Sequence, residues 1–364
     1  MKSHLPSGGK TERVLNRIYR HSGIDTRHSV IGDYAPVGIG REHIGDHSTR
    51  TPGSERDPNA GEGIFFDPQQ GRFLSPGTGA RNELYTHEAR SLFSRVAAAC
   101  MDHSTFSKQD VTHVITVSCT GFFAPGPDYY VVRDLGLRPE TERVHIGFMG
   151  CYAAFTALRM ARAICALVPD AVVLIVSVEL CTLHLEPSEV LDNIIACSVF
   201  ADGAAAAVVS SRERPRAGRS LIIDELASTI APDSEADMAW TIGDRGFEMV
   251  LSTYVPRILE ANVAGMVGDL LGRSAIHPSD VDHWAIHPGG RAILDKIGKA
   301  LSLPEKALDT PRQVLRENGN MSSATIFFVL NAMMCDPDVG KGDRLCALAF
   351  GPGLTVESGL LTRA

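Results

Sequence analysis

The sequence lacks the signature motifs of several large protein classes. None of the eight cysteines forms a CxxC pair, so a zinc ribbon or a thioredoxin-type site is not indicated. Neither a GxGxxG run nor a GxxxxGK run occurs, so nothing suggests a dinucleotide or P-loop phosphate site. There is no run of basic residues, and no apolar run has the length that a membrane crossing needs. We therefore expect neither a nucleic-acid partner nor a membrane span.

The chain does contain enough apolar sequence for a large core. It has 364 residues, of which 44% are hydrophobic and 21% charged, and its formal net charge is −8. This composition excludes a disordered chain and allows one large domain or two ordinary ones. Most cysteines lie inside apolar segments, as free thiols do in a reducing compartment, and the N-terminus lacks the apolar core of a signal peptide. We expect a cytoplasmic protein.

Alternating apolar strands and helices along most of the chain predict an α/β fold with a mostly parallel sheet. Residues 1–210 are predicted to form a first half. A long excursion at 32–80, rich in Gly, Pro, Asp and Ser and so expected to be mostly loop, interrupts it. A polar and basic segment at 211–220 separates it from a second half at 221–364. In that half, residues 245–271 are predicted to form one long amphipathic helix.

A strand, a glycine turn and a helix are predicted across residues 143–166, with Cys151 at the turn. Gly150 lets the backbone turn sharply, and Cys151 then stands at or just before the first helical turn. Unpaired N–H groups and the helix dipole favour an anion there, so we expect a lowered thiol pKa and a nucleophilic thiolate. The alternative is a small buried hydrophobe, which is what most cysteines are.

Two further polar residues stand at strand–helix junctions. His287 follows an apolar strand and precedes Pro288, so its imidazole lies on a turn, and Asn320 stands at the start of an apolar helix. The alternatives are a core histidine and a helix N-cap. Together with Cys151 they give the order Cys, His, Asn, which can supply a nucleophile, a base and an amide donor.

Three other hypotheses come from the same residues. The spacing of Cys151 and His287 also fits papain-like proteases, but the MGCY context and the repeated strand–helix pattern do not. His283 and His287 could hold a metal, although no acidic residue lies between them. Arg17 lies near one face of a short predicted helix, either as a solvated charge or as a contact for a phosphorylated ligand.

Four motifs in a fixed order carry a family resemblance. MGCYAAFTALRMA, AIHPGGRAILDKI, ENGNMSSATIFFVL and AFGPGLTVE together resemble the type III polyketide synthases, the chalcone synthase-like enzymes of the thiolase superfamily. The similarity runs from about residue 13 to the C-terminus and is interrupted at 32–80. It implies a thiolase-like αβαβα five-layer fold of two similar halves, and a homodimer.

The resemblance also implies roles for individual residues. By motif, Cys151 matches the acyl-carrying nucleophile, His287 the catalytic histidine and Asn320 the catalytic asparagine. Positions that match the substrate pocket, either as family residues or as departures from the plant enzymes, are Cys119, Glu179, His184, Phe200, Trp240, Met249 and Ser322. Arg17 matches a CoA-binding position.

The function that the resemblance implies is condensation of malonyl-CoA with an acyl-CoA starter, followed by cyclisation to a pyrone or a resorcinol. No metal and no further cofactor is expected. The runs CTGFFAPGPDYY and ELCTLHLEPS look most like alkylresorcinol and alkylpyrone synthases, which take long fatty acyl starters. One alternative is a β-ketoacyl-ACP synthase. Another is a thiolase-fold protein that is inactive because the first strand and helix of the family are missing before residue 13.

Overall fold

The protein is described by a computed structural model, which places residues 10–34, 63–67, 70, 72–186, 190–212 and 219–364. Most of the predicted excursion at 32–80 and the core of the predicted boundary at 211–220 lie outside the described residues. The helices are α1 Lys10–His21, α2 Thr78–Asp102, α3 Pro127–Leu135, α4 Ala153–Leu167, α5 Leu191–Val199, α6 Val255–Arg273, α7 Arg291–Ala300, α8 Asp309–Asn318 and α9 Thr325–Cys335. The strands are β1 Phe66–Asp67, β2 Arg72–Phe73, β3 His113–Ser118, β4 Glu142–Gly147, β5 Val172–Leu180, β6 Asp202–Ser210, β7 Leu221–Ile230, β8 Met238–Gly243, β9 Gly246–Leu251, β10 His283–Ile286, β11 Arg344–Gly351 and β12 Thr355–Arg363.

The first half of the chain forms a four-stranded sheet in the order β4-β3-β5-β6. Strands β4 and β5 both run parallel to β3, and β6 runs antiparallel to β5. Every residue of β5 is buried. Its nearly continuous apolar sequence, VVLIVSVEL, is what a strand needs when both faces of the sheet are covered.

The second half forms another four-stranded sheet, in the order β10-β11-β12-β7. Strand β10 is parallel to β11, and the remaining pairs are antiparallel. The parallel strands β3 and β4 of one sheet and β10 of the other each end just before a loop that carries polar residues. Their carboxyl ends therefore set the position of the site.

Three hydrophobic clusters divide the molecule into five layers. Helices α4 and α9 pack between the two sheets, α2 and α3 cover the outer face of the first sheet, and α6 and α7 cover the outer face of the second. The middle cluster draws small residues such as Ala157 and Ala161 from α4, which lets the helix lie close to both sheets. Helix α4 is thus held on both sides, and the turn before it has a fixed position.

Two tight turns, one from each half, pack against each other between the sheets. Gly150 has φ +79°, and a Cβ there would overlap the ring of Pro352. A Cβ at Gly351 would overlap the ring of Tyr152. Each turn needs glycine because a ring from the other turn occupies the space that a side chain would need.

The structure corrects one predicted element. The helix expected at 245–271 begins only at Val255, and the preceding residues form β9, which pairs with β8 as a separate hairpin. The side chains of Phe247 and Leu251 are buried while Glu248 and Val250 are exposed, which is the two-residue period of a strand. Pro256 at the first turn of α6 marks the change, because proline suits a helix start.

Among the helices that the structure describes, none is both long enough and apolar enough to cross a membrane.

The contact between the two turns gives a stability prediction. We expect Gly150→Ala to lower the free energy of unfolding by about 3 kcal/mol or more, since it adds overlap with Pro352 to the cost of a left-handed backbone. Gly136→Ala is the matched control, because Gly136 also has positive φ, +64°, with no atom near its added Cβ. It should cost about 1–2 kcal/mol. Denaturant unfolding measures both, and equal losses would contradict the packing explanation.

Candidate active site

Cys151 lies in the turn between the end of β4 at Gly147 and the start of α4 at Ala153. The thiol sulfur of Cys119 accepts a hydrogen bond of 2.9 Å from the Gly150 N–H and so stabilises this turn. Cys119 itself follows β3, the neighbouring strand of the sheet. The ends of two adjacent parallel strands therefore position the Cys151 thiol.

The pKa of the Cys151 thiol is raised, not lowered as expected from its place before a helix. Burial raises this pKa to about 11, and the negative charge of Glu179 acts in the same direction. Hydrogen bonds from Ser322 and Asn320 oppose the rise without cancelling it. Loss of hydration outweighs the helix terminus because the thiolate would lie in an almost dry site. The resting residue is a thiol at neutral pH.

The backbone of Asn320 joins the two halves, and its side chain is held in one orientation. The Asn320 N–H donates to Val199 O at 2.8 Å, and the Ala201 N–H donates to Asn320 O at 2.9 Å. Its side-chain Oδ1 accepts from the Ser322 N–H at 2.9 Å, while Nδ2 donates to Gly289 O at 3.3 Å. Since an amide Nδ2 carries two protons, one N–H stays available beside the Cys151 thiol.

His287 follows β10 and is 1% exposed. Its backbone N–H donates to Leu348 O at 2.8 Å, which continues the pairing of β10 with β11 for one residue. Neither ring nitrogen has a hydrogen-bond partner among the described residues, and burial lowers the pKa of the imidazole to about 3. His287 is therefore a neutral imidazole with both nitrogens unengaged.

The described hydrogen bonds do not include a direct one between Cys151 and His287. Asn320 lies between them: its side chain is near enough to lower the pKa of the Cys151 thiol, and its Nδ2 donates to the carbonyl of Gly289, two residues after His287. The structure thus places Asn320 beside Cys151 and His287 at the adjoining turn.

Glu179 lies at the end of β5 and is completely buried. Its carboxylate accepts hydrogen bonds from the Cys119 N–H at 2.9 Å, from the Thr120 hydroxyl at 3.0 Å and from the Ser323 hydroxyl. Burial raises the pKa of this carboxyl to about 7, and the three donors limit the rise. The carboxyl ties the loop after β3 to the loop before α9, which lies across the interface between the halves.

A small, mostly apolar cavity of about 40 Å³ opens beside Cys151. Its lining includes five of the predicted site residues and the nucleophile itself. The lining residues are Cys119, Thr120, Gly150, Cys151, Cys181, Phe200, Met238, Ala239, Trp240, Met249, Leu251, Ser322 and Pro352. Trp240 enters it from the β8–β9 hairpin and donates its indole N–H to Cys119 O at 3.0 Å.

Glu179 and His184 are not among the residues that line the cavity, contrary to expectation for a pocket wall. The ring of His184 stacks on Phe247 at 4.1 Å and lies edge-on to Trp240. Its Nε2 is 2.7 Å from Thr120 O, and its Nδ1 accepts from the Phe247 N–H at 3.0 Å. Burial lowers the pKa of this imidazole to about 4, so it is neutral and joins the hairpin to the loop after β3.

Two other predicted residues lie away from the cavity. Arg17 is exposed on α1, so its assignment to CoA stays a prediction. His283 turns toward Asp343, with 2.9 Å between Nε2 and Oδ2, and so does not form a pair with His287. Among the described residues, no group of three His, Cys, Asp or Glu side chains could hold a metal ion.

Sequence reasoning missed part of the cavity wall. Cys181 follows Glu179 by two residues and could have been inferred from the end of β5. Leu251 was missed because β9 falls inside the segment predicted to be helical, and Met238 and Ala239 belong to β8, a strand that the sequence analysis did not predict.

Two mixed sheets with helices between and outside them, and a cysteine turn at the interface of the halves, define a thiolase-like enzyme. The chain matches "Chalcone and stilbene synthases, N-terminal domain" over residues 64–213 and "Chalcone and stilbene synthases, C-terminal domain" over residues 223–364. The chain belongs to the chalcone and stilbene synthase family, the type III polyketide synthases, which are acyltransferases.

Individual relatives agree with this assignment. The 1,3,6,8-tetrahydroxynaphthalene synthase of Streptomyces coelicolor is 32% identical over 297 residues, which are 81% of this chain and 78% of that protein. The C-terminal type III polyketide synthase domain of Steely1 from Dictyostelium is 25% identical, with a TM-score of 0.84 over 99% of this chain and 92% of that one. PKS-I of the brown alga Ectocarpus siliculosus is 28% identical, with a TM-score of 0.83 over 100% of this chain and 92% of that one. The predicted fold class is confirmed.

The buried, neutral state of the site predicts how Cys151 reacts with iodoacetamide. Because the thiol has a pKa near 11, the thiolate fraction and the alkylation rate should rise about tenfold per pH unit from pH 7 to pH 10. Ser322→Ala removes a donor that lowers this pKa, so it should slow alkylation further. Peptide mass spectrometry follows Cys151, with the exposed Cys335 as an internal reference. A rate independent of pH between 6 and 8 would instead indicate a thiolate–imidazolium pair with His287.

Proposed function

We propose that the protein loads a short acyl-CoA starter onto Cys151, extends it with malonyl-CoA and cyclises the product to a pyrone or a resorcinol. The observation that carries the proposal is the place of the Cys151 thiol. It lies at a mostly apolar cavity within reach of the Asn320 amide, with the unengaged imidazole of His287 at the next turn. Membership of the type III polyketide synthases supports the same chemistry.

Loading begins with two neutral groups. The raised pKa of Cys151 and the lowered pKa of His287 mean that neither is charged before substrate enters. As the sulfur attacks the thioester carbonyl, the proton of the thiol passes to an imidazole nitrogen. The CoA thiolate leaves and takes this proton from the imidazolium, which returns His287 to its neutral form, and the acyl group remains on Cys151.

Extension requires stabilisation of an enolate. The carboxylate of malonyl-CoA leaves as CO₂, and the electron pair of the broken C–C bond becomes the enolate of the acetyl thioester. The free N–H of Asn320 and a protonated nitrogen of His287 can donate to the enolate oxygen. The enolate carbon then bonds to the acyl carbonyl carbon, and the Cys151 thiolate is the leaving group.

The size of the cavity favours a short starter. A volume of about 40 Å³ is far below the roughly 300–1,000 Å³ typical of small-molecule pockets. Trp240 and Met249, both on the β8–β9 hairpin, line the wall of this cavity. A growing chain must displace these side chains, so the proposal assigns the hairpin the control of chain length.

Three further properties belong to the proposal. A homodimer is supported by the free outer edge of β4 among the described residues, where Val144 is 39% exposed. CoA binding near Arg17 is supported by its exposed positive charge on α1. A cytoplasmic location is supported by the eight free cysteines.

The test uses purified protein with acetyl-CoA and carbon-labelled malonyl-CoA. Wild-type protein should release labelled CO₂ and form a polyketide, and intact mass spectrometry should detect the acyl group on the enzyme. Cys151→Ala should abolish the acyl-enzyme and the product. Asn320→Ala should keep the acyl-enzyme and lower the rate of CO₂ release about 100-fold or more. Cys335→Ser, which removes an exposed thiol far along α9, is the matched control and should behave as wild type.

Two results would overturn the proposal. Product formation by Cys151→Ala at the wild-type rate would show that this residue does not carry the acyl group. Activity that strictly requires an acyl carrier protein would indicate a β-ketoacyl-ACP synthase instead.

Trp240→Ala tests the control of starter length. Removing the indole enlarges the cavity, so we expect the ratio of kcat/KM for hexanoyl-CoA to that for acetyl-CoA to rise about tenfold or more. Thr241→Ala is the control, because this neighbour is exposed on the same strand. An unchanged ratio would show that Trp240 does not limit the starter.

A further inference from the structure

An arginine from the segment after α1 contacts the end of α5 next to the site. Arg27 Nη1 donates to Cys197 O at 2.6 Å and to Phe200 O at 2.9 Å. These carbonyls belong to the last turn of α5 and to the residue that follows it, where a helix has unsatisfied acceptors and partial negative charge. The guanidinium therefore fixes the backbone at the point where α5 leads into β6.

The same backbone is paired with Asn320 from its other side. Val199 O accepts from the Asn320 N–H, and the Ala201 N–H donates to Asn320 O, so residues 199–201 form a short parallel bridge with residue 320. Between these two bonds, the carbonyl of Phe200 points to Arg27. The peptide that carries the Phe200 side chain is thus fixed between a guanidinium and Asn320.

The aliphatic part of Arg27 touches the other strand of this bridge. Gly319 has φ +73°, and a Cβ there would meet Arg27 Cγ at 2.9 Å and Val199 O at 3.0 Å. Arg27 therefore packs directly against the residue before Asn320 while it bonds to the segment that pairs with Asn320. One side chain therefore contacts Phe200 on one side of the bridge and Gly319, the neighbour of Asn320, on the other.

We propose that Arg27 is a positioning residue for the condensation, which sets the location of the Asn320 amide and the Phe200 side chain without touching substrate. This inference rests on the proposed function. Nothing in the sequence patterns singled out Arg27, which lies between a short helix and a loop and belongs to none of the recognised motifs.

The consequence for the reaction concerns decarboxylation more than loading. Stabilising an enolate needs a donor within a few tenths of an ångström of its place, and a displacement of about 1 Å can cost about 100-fold in rate. Loading depends first on the Cys151 thiol and on His287, which lie on other loops. Loss of Arg27 should therefore slow decarboxylation of malonyl-CoA selectively.

The experiment compares Arg27→Met, Arg27→Lys and wild type in two assays. Release of labelled CO₂ from malonyl-CoA gives kcat and KM, and intact mass spectrometry gives the single-turnover rate at which acetyl-CoA acylates Cys151. For Arg27→Met we expect kcat for decarboxylation to fall at least tenfold, with KM and the acylation rate within about threefold of wild type. Arg27→Lys, which retains a charged donor, should recover part of the loss.

Tyr19→Phe is the matched control. The Tyr19 hydroxyl donates to Cys197 O at 2.9 Å, so it holds the same helix end, and the ring that faces the Arg27 guanidinium at 5.6 Å is retained in phenylalanine. This variant should lower the melting temperature as Arg27→Met does, but it should leave kcat for decarboxylation near the wild-type value. The comparison separates general stability from the position of the bridge.

Three outcomes would overturn the inference. They are an equal loss of acylation and decarboxylation in Arg27→Met, a raised KM at unchanged kcat, or the same kinetic loss in Tyr19→Phe. A wild-type protein with neither activity would refute the proposed function instead. If the wild-type protein is inactive, hydrogen exchange still tests whether Arg27 positions the bridge. The amides of Ala201 and Asn320 should be protected in wild type. They should lose protection in Arg27→Met but not in Tyr19→Phe.

Discussion

The site depends on close backbone contact between the two halves of the chain. Gly150 of one half packs on Pro352 of the other, and residues 199–201 pair with Asn320 across the same interface. Neither half alone contains a nucleophile, an amide donor and an imidazole. Because the helices and sheets are packed into one sequence of layers, a shift in any layer moves these loops relative to each other. The chemistry is therefore a property of how the halves meet.

Burial governs the charges at this interface. The same loss of hydration raises the pKa of Cys151 and Glu179 and lowers that of His287, so the thiol and the imidazole stay neutral while the carboxyl titrates near pH 7. A neutral pair suits the proposed reaction, in which the site admits a polyanionic CoA thioester and charge then develops. Charge appears only when a substrate supplies the oxygen that can carry it. Before substrate binds, the thiol and the imidazole therefore both stay neutral.

Much of the fold could be predicted from the sequence, since strands such as His113–Ser118 are short apolar runs and the helix after Cys151 has helical periodicity. Strand β9 could not, because its inward residues also fit the face of the helix predicted at 245–271 and only tertiary packing decides between them. The predicted direction of the Cys151 pKa shift was wrong, because the local sequence at a strand–helix junction does not show how deeply the thiol is buried. Arg27 was missed because its partners are backbone carbonyls more than 160 residues away, which no local pattern encodes.

The β8–β9 hairpin pairs with neither of the main sheets, and it carries Trp240 and Met249 into the cavity. It is attached beside the site through the indole of Trp240 and the ring of His184. A wall held this way can change its residues during evolution while the loops that perform the chemistry stay as they are. Substitutions on this hairpin alone would then change the product, while the condensation reaction stays the same.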